Sequence, residues 1–329
     1  QSVAALWPHI LGDDLEISFA HKDFKWSNNA SSKAAVICSI IGIRRASKED
    51  KFLFSNGFGS LSQNINSYLV DSPHVFVDSI RRSMFGLPIM DYGNKPVEGG
   101  SLILSPEERA EFIVSDPRSE KFIRKFMGSM EVVRGVERYC LWIRDDDLAE
   151  ANSISMSRNR IEKSRDIRIT MKDAGGRKLA ARPHQFRGLL APKNHAILVP
   201  RVTSGRRPFL PVERVGADVI SSDLNQVLYD APEWCIALIA SRLHLVWIAT
   251  VCGKLKSDFR YSNTLGWNTF PVPKFTDEQL EALSALARRI LKCRYSHYPK
   301  TIADLYDPDK MPDDLRAVHK ENDALRESM

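Results

Sequence analysis

No stretch of this chain is long and apolar enough to span a membrane. The best candidate, AAVICSIIGI at 34–43, has the length of a strand, and no basic-then-apolar leader precedes it. The five cysteines (Cys38, Cys140, Cys235, Cys252 and Cys293) never fall in a CxxC spacing. They are expected to form neither a zinc site nor a disulfide framework, which suits a reducing cytoplasm. His21, His184, His195 and His244 show no metal spacing and no pairing with a Cys or Ser, so none is assigned to catalysis. NGFGS at 56–60 lacks the strand–GxGxxG–helix context of a nucleotide loop. Internal repeats and low-complexity tracts are also missing.

What is present is an ordinary globular composition, 43% hydrophobic and 27% charged over 329 residues, enough for two or three domains with a sizeable core. The net charge of +6 leans toward a polyanionic partner. The chain begins at Gln1 inside a patterned segment, which reads as part of a longer polypeptide.

The expected fold class is α+β. LEISFAH (15–21), the turn-forming SNNASS (27–32) and AAVICSIIGI read as an antiparallel strand pair closing the edge of a larger α/β sheet. Residues 56–100, rich in Gly, Asn, Ser and Pro, read as a linker crossing a surface. Ser105, Pro106 and Glu108 predict a capped helix start. Asp230 and Glu233 predict another, before one helix that carries Trp234, Leu238, Leu245, Ile248 and Cys252 inward and stops at Gly253. NTFPVPKF (268–275) is an extended connector. Thr276 and Gln279 then open a helix with an apolar stripe from Leu280 to Leu291, and a helical tail follows.

The stretch CGKLKSDFRYS (252–262) carries the most specific chemistry. Read as one strand, it places Lys254, Lys256, Asp258 and Arg260 on one face, alternating with Leu255, Phe259 and Tyr261. A wet strand face would look similar. Yet Lys can donate to guanine O6 and N7 while Asp accepts from cytosine N4, so Lys256 with Asp258 can read both members of a G·C pair. Residues 158–187 hold ten Lys or Arg against three acids, and there GGRKLAARPHQFR offers glycines for backbone approach to a polyanion, followed by Arg177 and Lys178. PRVTSGRRPFLP (200–211) gathers Arg201, Arg206 and Arg207 around Ser204 in a loop suited to phosphate contacts. In DFKW (23–26), Phe24 and Trp26 are either core or a stacking platform for an extruded base.

Six segments, FAHKDFKWSNNA, YGNKPVEGG, SEKFIRKFMGSMEVVRGVERYCLWI, ILVPRVTSGRRPFLPV, CGKLKSDFRYSNTLGWNTFPVP and LYDPDKMPDDLRAVH, run in order through nearly the whole chain. With them the sequence resembles the C-terminal half of MmeI-type bacterial DNA adenine-N6 methyltransferases, a group of restriction–modification enzymes with fused nucleases and of phage-exclusion methylases. The resemblance implies that residues 1–55 are the last strands of the methyltransferase domain, 56–275 the DNA target-recognition domain, and 276–329 a small helical C-terminal domain. It implies duplex DNA as partner, with a methyltransferase and possible nuclease region upstream in the same polypeptide. The glycine loop for S-adenosylmethionine and the NPPF or NPPY tetrapeptide do not occur here, so no cofactor and no catalytic residue are expected in this fragment. By position, Phe24 is the expected plate for the flipped adenine and Trp26 the second choice. Lys254, Lys256, Asp258 and Arg260 are the expected base readers. Arg177, Lys178, Arg201, Ser204, Arg206, Arg207, Tyr261 and Ser262 are expected along the DNA backbone. The competing reading is a non-catalytic RNA- or protein-interaction module with basic loops.

Overall fold

A computed structural model describes residues 3–26, 36–55 and 57–329. The turn expected at 27–32 lies outside the described residues. The structure is mixed α+β with several small sheets and a helical C-terminal region. It divides into two compact units whose limits cross the segments expected from sequence: Gln1–Leu87 with Thr203–Arg206 and Val246–Pro273, and Pro88–Val202 with Arg207–Leu245 and Lys274–Met329. Among the described residues no helix is long and apolar enough to cross a membrane.

The first unit opens with helix α1 (Val3–Leu11) and a four-stranded sheet of order β2-β1-β3-β4, built from β1 (Leu15–Trp26), β2 (Val36–Arg45), β3 (Lys51–Ser55) and β4 (Phe58–Ser62). β1 pairs antiparallel with β2 and parallel with β3. β3 and β4 form a hairpin, so the segment from residue 56 begins as sheet and not as a linker. Gly57, at φ +83°, supplies a left-handed residue between β3 and β4. The core beneath is small: Leu11, Ile17, Ala20 and Ile65, with Trp7, Ile41, Leu53 and Leu69 packed on it.

The second unit holds two four-stranded sheets. One orders Val219–Ser221, Ile123–Met127, Tyr139–Leu141 and Ile103–Leu104; its core gathers Leu102, Phe112, Phe122, Phe126, Phe186 and Ile220. The other orders Glu213–Gly216, His195–Pro200, Asn225–Tyr229 and Asp91–Tyr92. Its Ala196, Leu198 and Val227 share a core with Ile302, Leu305, Tyr306, Met311 and Leu315 of the C-terminal helical region.

Helix starts follow local chemistry closely. Ser105 Oγ accepts from the Glu108 amide at 3.2 Å while Glu108 accepts from the Ser105 amide at 2.9 Å, opening the helix Pro106–Ser115. Thr276 and Gln279 do the same for Asp277–Ser296 at 3.3 and 2.9 Å. The expected cap at Asp230 is different. Asp230 sits at φ +51°, and its carboxylate accepts from the amides of Lys193, Asn194 and His195 at 2.8, 2.7 and 3.1 Å, which hold its pKa below the ordinary carboxylate range. The single helix expected after it is two, Trp234–Ile239 and Arg242–Val251. Ser241 separates them: its hydroxyl donates to the Leu238 carbonyl at 2.7 Å and accepts from the His244 amide at 3.2 Å.

The basic run at 158–187 is partly internal. Arg160 donates to the carbonyls of Ser101 and Ile103, each at 3.2 Å, and pairs with Glu108. Arg168 is fully buried, and all five of its N–H groups are used: Nε to Val97 O at 2.8 Å, Nη1 to Leu179 O and Arg182 O at 3.1 and 2.9 Å, Nη2 to Pro96 O and Gln185 O at 3.2 and 2.6 Å. Replacing Arg168 by Met should therefore destabilise the second unit by about 3–5 kcal/mol, since several buried carbonyls lose their donors together. Arg168→Lys should recover only part of this, having three donors for five carbonyls. Urea unfolding midpoints check both. An Arg168→Lys midpoint equal to wild type would show that the charge, and not the donor fork, is what the site needs.

Candidate nucleic-acid interface

The ladder between β1 and β2 slips between His21 and Phe24, a bulge that takes Asp23 out of register at φ +44°, a conformation Asp tolerates better than most residues. The bulge turns the Asp23 carboxylate onto Lys254, 231 positions away in sequence, and the two form an ion pair. Lys22 lies in the same neighbourhood. Burial pulls its pKa below the ordinary lysine range, with Asp23 opposing and Lys254 adding to the shift. Phe24 and Trp26 follow at the end of β1, their ring centroids 6.2 Å apart and tilted 61°. Neither belongs to the core: Phe24 is half-buried and Trp26 is 55% exposed.

Residues 254–260 are a hairpin and not one strand. Lys254–Leu255 pairs antiparallel with Asp258–Arg260, in the register Lys254 to Phe259 and Leu255 to Asp258. Lys256 and Ser257 make the turn, with Lys256 at φ +57°. The expected single charged face is thereby replaced. Lys254 shares a side with Phe259, Asp258 stands with Leu255 and Arg260 on the other, and Lys256 is at the apex. Arg260 closes the base of the hairpin through its amide to Gly253 O at 2.9 Å. Among the described residues the side chains of Lys256, Asp258 and Arg260 make no hydrogen bond or ion pair, whereas Lys254 is held by Asp23. Asp23, Val36, Ile37, Lys254 and Lys256 line a cleft of about 290 Å³.

The loop Ser204–Gly205–Arg206 lies against the hairpin turn. A Cβ on Gly205 would sit 2.4 Å from the Ser257 carbonyl oxygen, so only glycine permits this approach. Ser204 Oγ accepts from the Arg206 amide at 3.3 Å, shaping the loop and leaving the Arg206 side chain exposed.

Other expected residues are placed differently. Tyr261 is 2% exposed, against Gly266 in the core beneath the hairpin; its ring anchors the segment and reaches no surface. Ser262, half-buried, bonds the Thr264 hydroxyl at 3.1 Å. In the second unit, Arg177 and Lys178 are exposed, but Gly175 and Gly176 before them form no open loop. Asp173 caps their short helix, accepting from the Gly176 amide at 2.7 Å, and the amides of Gly176 and Gly175 hold its pKa low. Arg201 donates to Asp223 O at 2.9 Å and lies over the Tyr92 ring at 4.9 Å, while Arg207 is half-buried. Asp23 and Lys22 were not assigned roles from sequence; an Asp interrupting the alternation of a long strand was the available signal.

A bulged strand ending in two accessible aromatic rings is thus tied through the Asp23–Lys254 ion pair to a charged hairpin whose second strand is the middle of a three-stranded sheet. The chain belongs to the MmeI family: the DNA-methyltransferase domain of MmeI matches residues 1–55, its target recognition domain residues 71–274, and its C-terminal domain residues 275–328. It is 35% identical over 328 residues to DNA methyltransferase A of Bacillus subtilis (strain 168), covering 99% of this chain and 37% of that protein. It is similar over its whole length to the Type IIL restriction-modification enzyme MmeI solved in complex with DNA, at 33% identity and a TM-score of 0.93, covering 45% of that chain. The chain thus spans less than half the length of these relatives.

Gly205→Ala should force the hairpin turn away from the loop, an overpacking of about 1–3 kcal/mol. Amide hydrogen exchange of residues 254–260 should accelerate while the helix Asp277–Ser296 keeps its protection. Unchanged exchange in the hairpin would mean that the loop does not support it.

Proposed function

We propose that this chain is the target-recognition part of a site-specific DNA adenine-N6 methyltransferase of a restriction–modification or phage-defence system, acting on duplex DNA in the bacterial cytoplasm. The observation that carries this reading is the assembly, within one compact unit, of the Phe24–Trp26 ledge, the Lys256–Asp258 hairpin tip and the Ser204–Arg206 loop. The hairpin's second strand, Asp258–Arg260, is the middle of a three-stranded sheet, and the turn at Lys256–Ser257 is the part that projects far enough to reach base edges in a major groove. At its tip Lys256 donates to guanine O6 or N7 and Asp258 accepts from cytosine N4, while Arg206 meets the backbone beside them. An Asp among cations faces a cost near phosphates unless a base amine compensates it, and this favours base reading over general RNA binding, where stacking aromatics would dominate the surface.

Methyl transfer draws on S-adenosylmethionine, which supplies the methyl group in such enzymes. The cleft beside the first sheet does not fit it. The cleft of about 670 Å³ between Ser47–Lys51 and Leu61–Gln63 is walled by charged and polar groups and offers an adenine ring only Leu61. Phe19, Ile40, Phe52 and Leu61 stay exposed on one face of the first sheet, a surface that suits cover by the rest of a methyltransferase domain.

Phe24→Ala should cost about 1–3 kcal/mol of binding to a duplex whose target adenine can be extruded. It should cost little on the same duplex made abasic at that position, where no base remains to stack. Equal losses on both duplexes would make Phe24 a structural residue.

The reading of one base pair is tested by exchange. Lys256→Asp with Asp258→Arg should turn a G·C preference into C·G at one position and leave other positions unchanged, each mismatch costing about 1–3 kcal/mol. Asp is chosen at 256 because it accepts the positive φ. Selection from a randomised duplex pool, followed by sequencing of the bound fraction, measures the preference. Uniformly weaker selection of the original site would assign these residues to the backbone, and no selection by the wild-type chain would sink the proposed function.

A further inference from the structure

The helix Asp277–Ser296 and the helix Asp313–Glu327 run antiparallel in contact. Arg289 fixes their register by a two-pronged pair with Glu321, at 2.6 and 3.0 Å. One turn further along, Cys293 and His297, four residues apart, share a face of the first helix and its end. Both turn toward Asp314 in the first turn of the second helix. His297 Nε2 lies 2.9 Å from each carboxylate oxygen of Asp314, Cys293 Sγ lies 3.5 Å from Oδ2, and all three donor atoms fall within 4.8 Å of one another. The Leu315 amide donates to Oδ1 at 2.8 Å and holds the carboxylate in place.

This arrangement is not that of a thiol nucleophile. A Cys–His base pair needs the imidazole between thiol and carboxylate, with one ring nitrogen toward each. Here the same nitrogen and the thiol both address the carboxylate, so three different donors converge on one point. We propose that Cys293, His297 and Asp314 form a Zn²⁺ site, completed by one solvent molecule. Thiolate, imidazole and carboxylate together suit Zn²⁺ better than the oxygen-seeking Mg²⁺ or Ca²⁺. With Zn–S of about 2.3 Å and Zn–N and Zn–O of about 2.0–2.1 Å, a tetrahedral site needs S···O of about 3.5 Å and N···O of about 3.3 Å. The first is the distance observed, and the second requires His297 to withdraw by about 0.4 Å from its hydrogen bond. On binding, Zn–S, Zn–N and Zn–O bonds form, the thiol proton and the Nε2 proton that His297 shares with Asp314 pass to solvent, the ring keeps its one proton on Nδ1, and the His297–Asp314 hydrogen bond is replaced. The absence of CxxC hid this site in the sequence; the i, i+4 spacing of Cys293 and His297 was its only local trace. Its effect is to bolt the end of one helix to the start of the next across the connector between them.

The test uses the purified 329-residue chain stripped with chelator and titrated with Zn²⁺, and separately with Co²⁺ as a spectroscopic probe. One equivalent should bind, raise the thermal unfolding midpoint, and with Co²⁺ give tetrahedral ligand-field absorption together with a thiolate charge-transfer band. Cys293→Ser should abolish that band. His297→Gln and Asp314→Asn should each weaken Zn²⁺ binding by at least the 10–100-fold that removal of even an outer partner costs. Cys38→Ser, at the other half-exposed cysteine, should change nothing. If Cys293→Ser does not fold by circular dichroism, Asp314→Asn and the wild-type Co²⁺ spectrum decide. No stoichiometric uptake at micromolar concentration, or a charge-transfer band that survives Cys293→Ser, overturns the site.

Discussion

The second unit depends on a guanidinium that never meets solvent. Arg168 gathers carbonyls from Pro96 and Val97 on one side and from Leu179, Arg182 and Gln185 on the other, so two connecting segments without ladder partners are fixed to the helix Ser155–Ile169. Buried carbonyls need donors, and loops usually find them in water. Here one planar side chain supplies five. Burial pushes the Arg168 pKa down and the Glu98 carboxylate opposes that shift, but an arginine remains charged throughout. The same fork geometry makes lysine a poor substitute.

That use of arginine changes what a basic run means. Arg160 and Arg168 are spent on carbonyls and on Glu108, and Arg177 donates to the carbonyls of Met171 and Lys172 at 2.8 Å each. Counting charges along residues 158–187 therefore overstates the surface available to a polyanion. Sequence composition cannot separate the two uses, because both employ the same side chain and only the fold decides which carbonyls lack donors. The capping boxes at Ser105 and Thr276, by contrast, were legible, since their partners lie three residues apart and need no tertiary information.

The hairpin at 254–260 shows the limit of period-two reading. Alternation of charge and hydrophobe is equally compatible with one strand and with two short ones joined at Lys256–Ser257. The usual marker of such a turn, Asn or Gly at the positive-φ position, is missing. Lys256 adopts φ +57° because the contact that supports it is tertiary: Gly205, some fifty residues earlier, lets its loop pack against Ser257. The bulge that sends Asp23 to Lys254 was hidden for the same reason, its partner being 231 positions away. In the hairpin Lys256 and Asp258 stand near one tip and no longer on one strand face.

The tip separates the groups that hold it from the groups that face outward. Tyr261, Trp267 and Phe270 are buried, Lys254 is pinned from the side by Asp23 and the Ser257 backbone rests on Gly205, so the hairpin is located by groups other than the side chains of Lys256, Asp258 and Arg260. Lys256, Asp258 and Arg260 make no side-chain hydrogen bond or ion pair among the described residues. None of the three is buried and their replacement leaves no buried group unsatisfied, so, with a residue that accepts the positive φ at 256, the cost to stability stays within the range of ordinary surface changes. Under the proposed function, a change at these positions acts instead on the pattern of donors and acceptors offered to DNA. Separating the residues that hold the ribbon from those that present its chemistry is a physical condition for altering specificity without refolding, and this unit meets it.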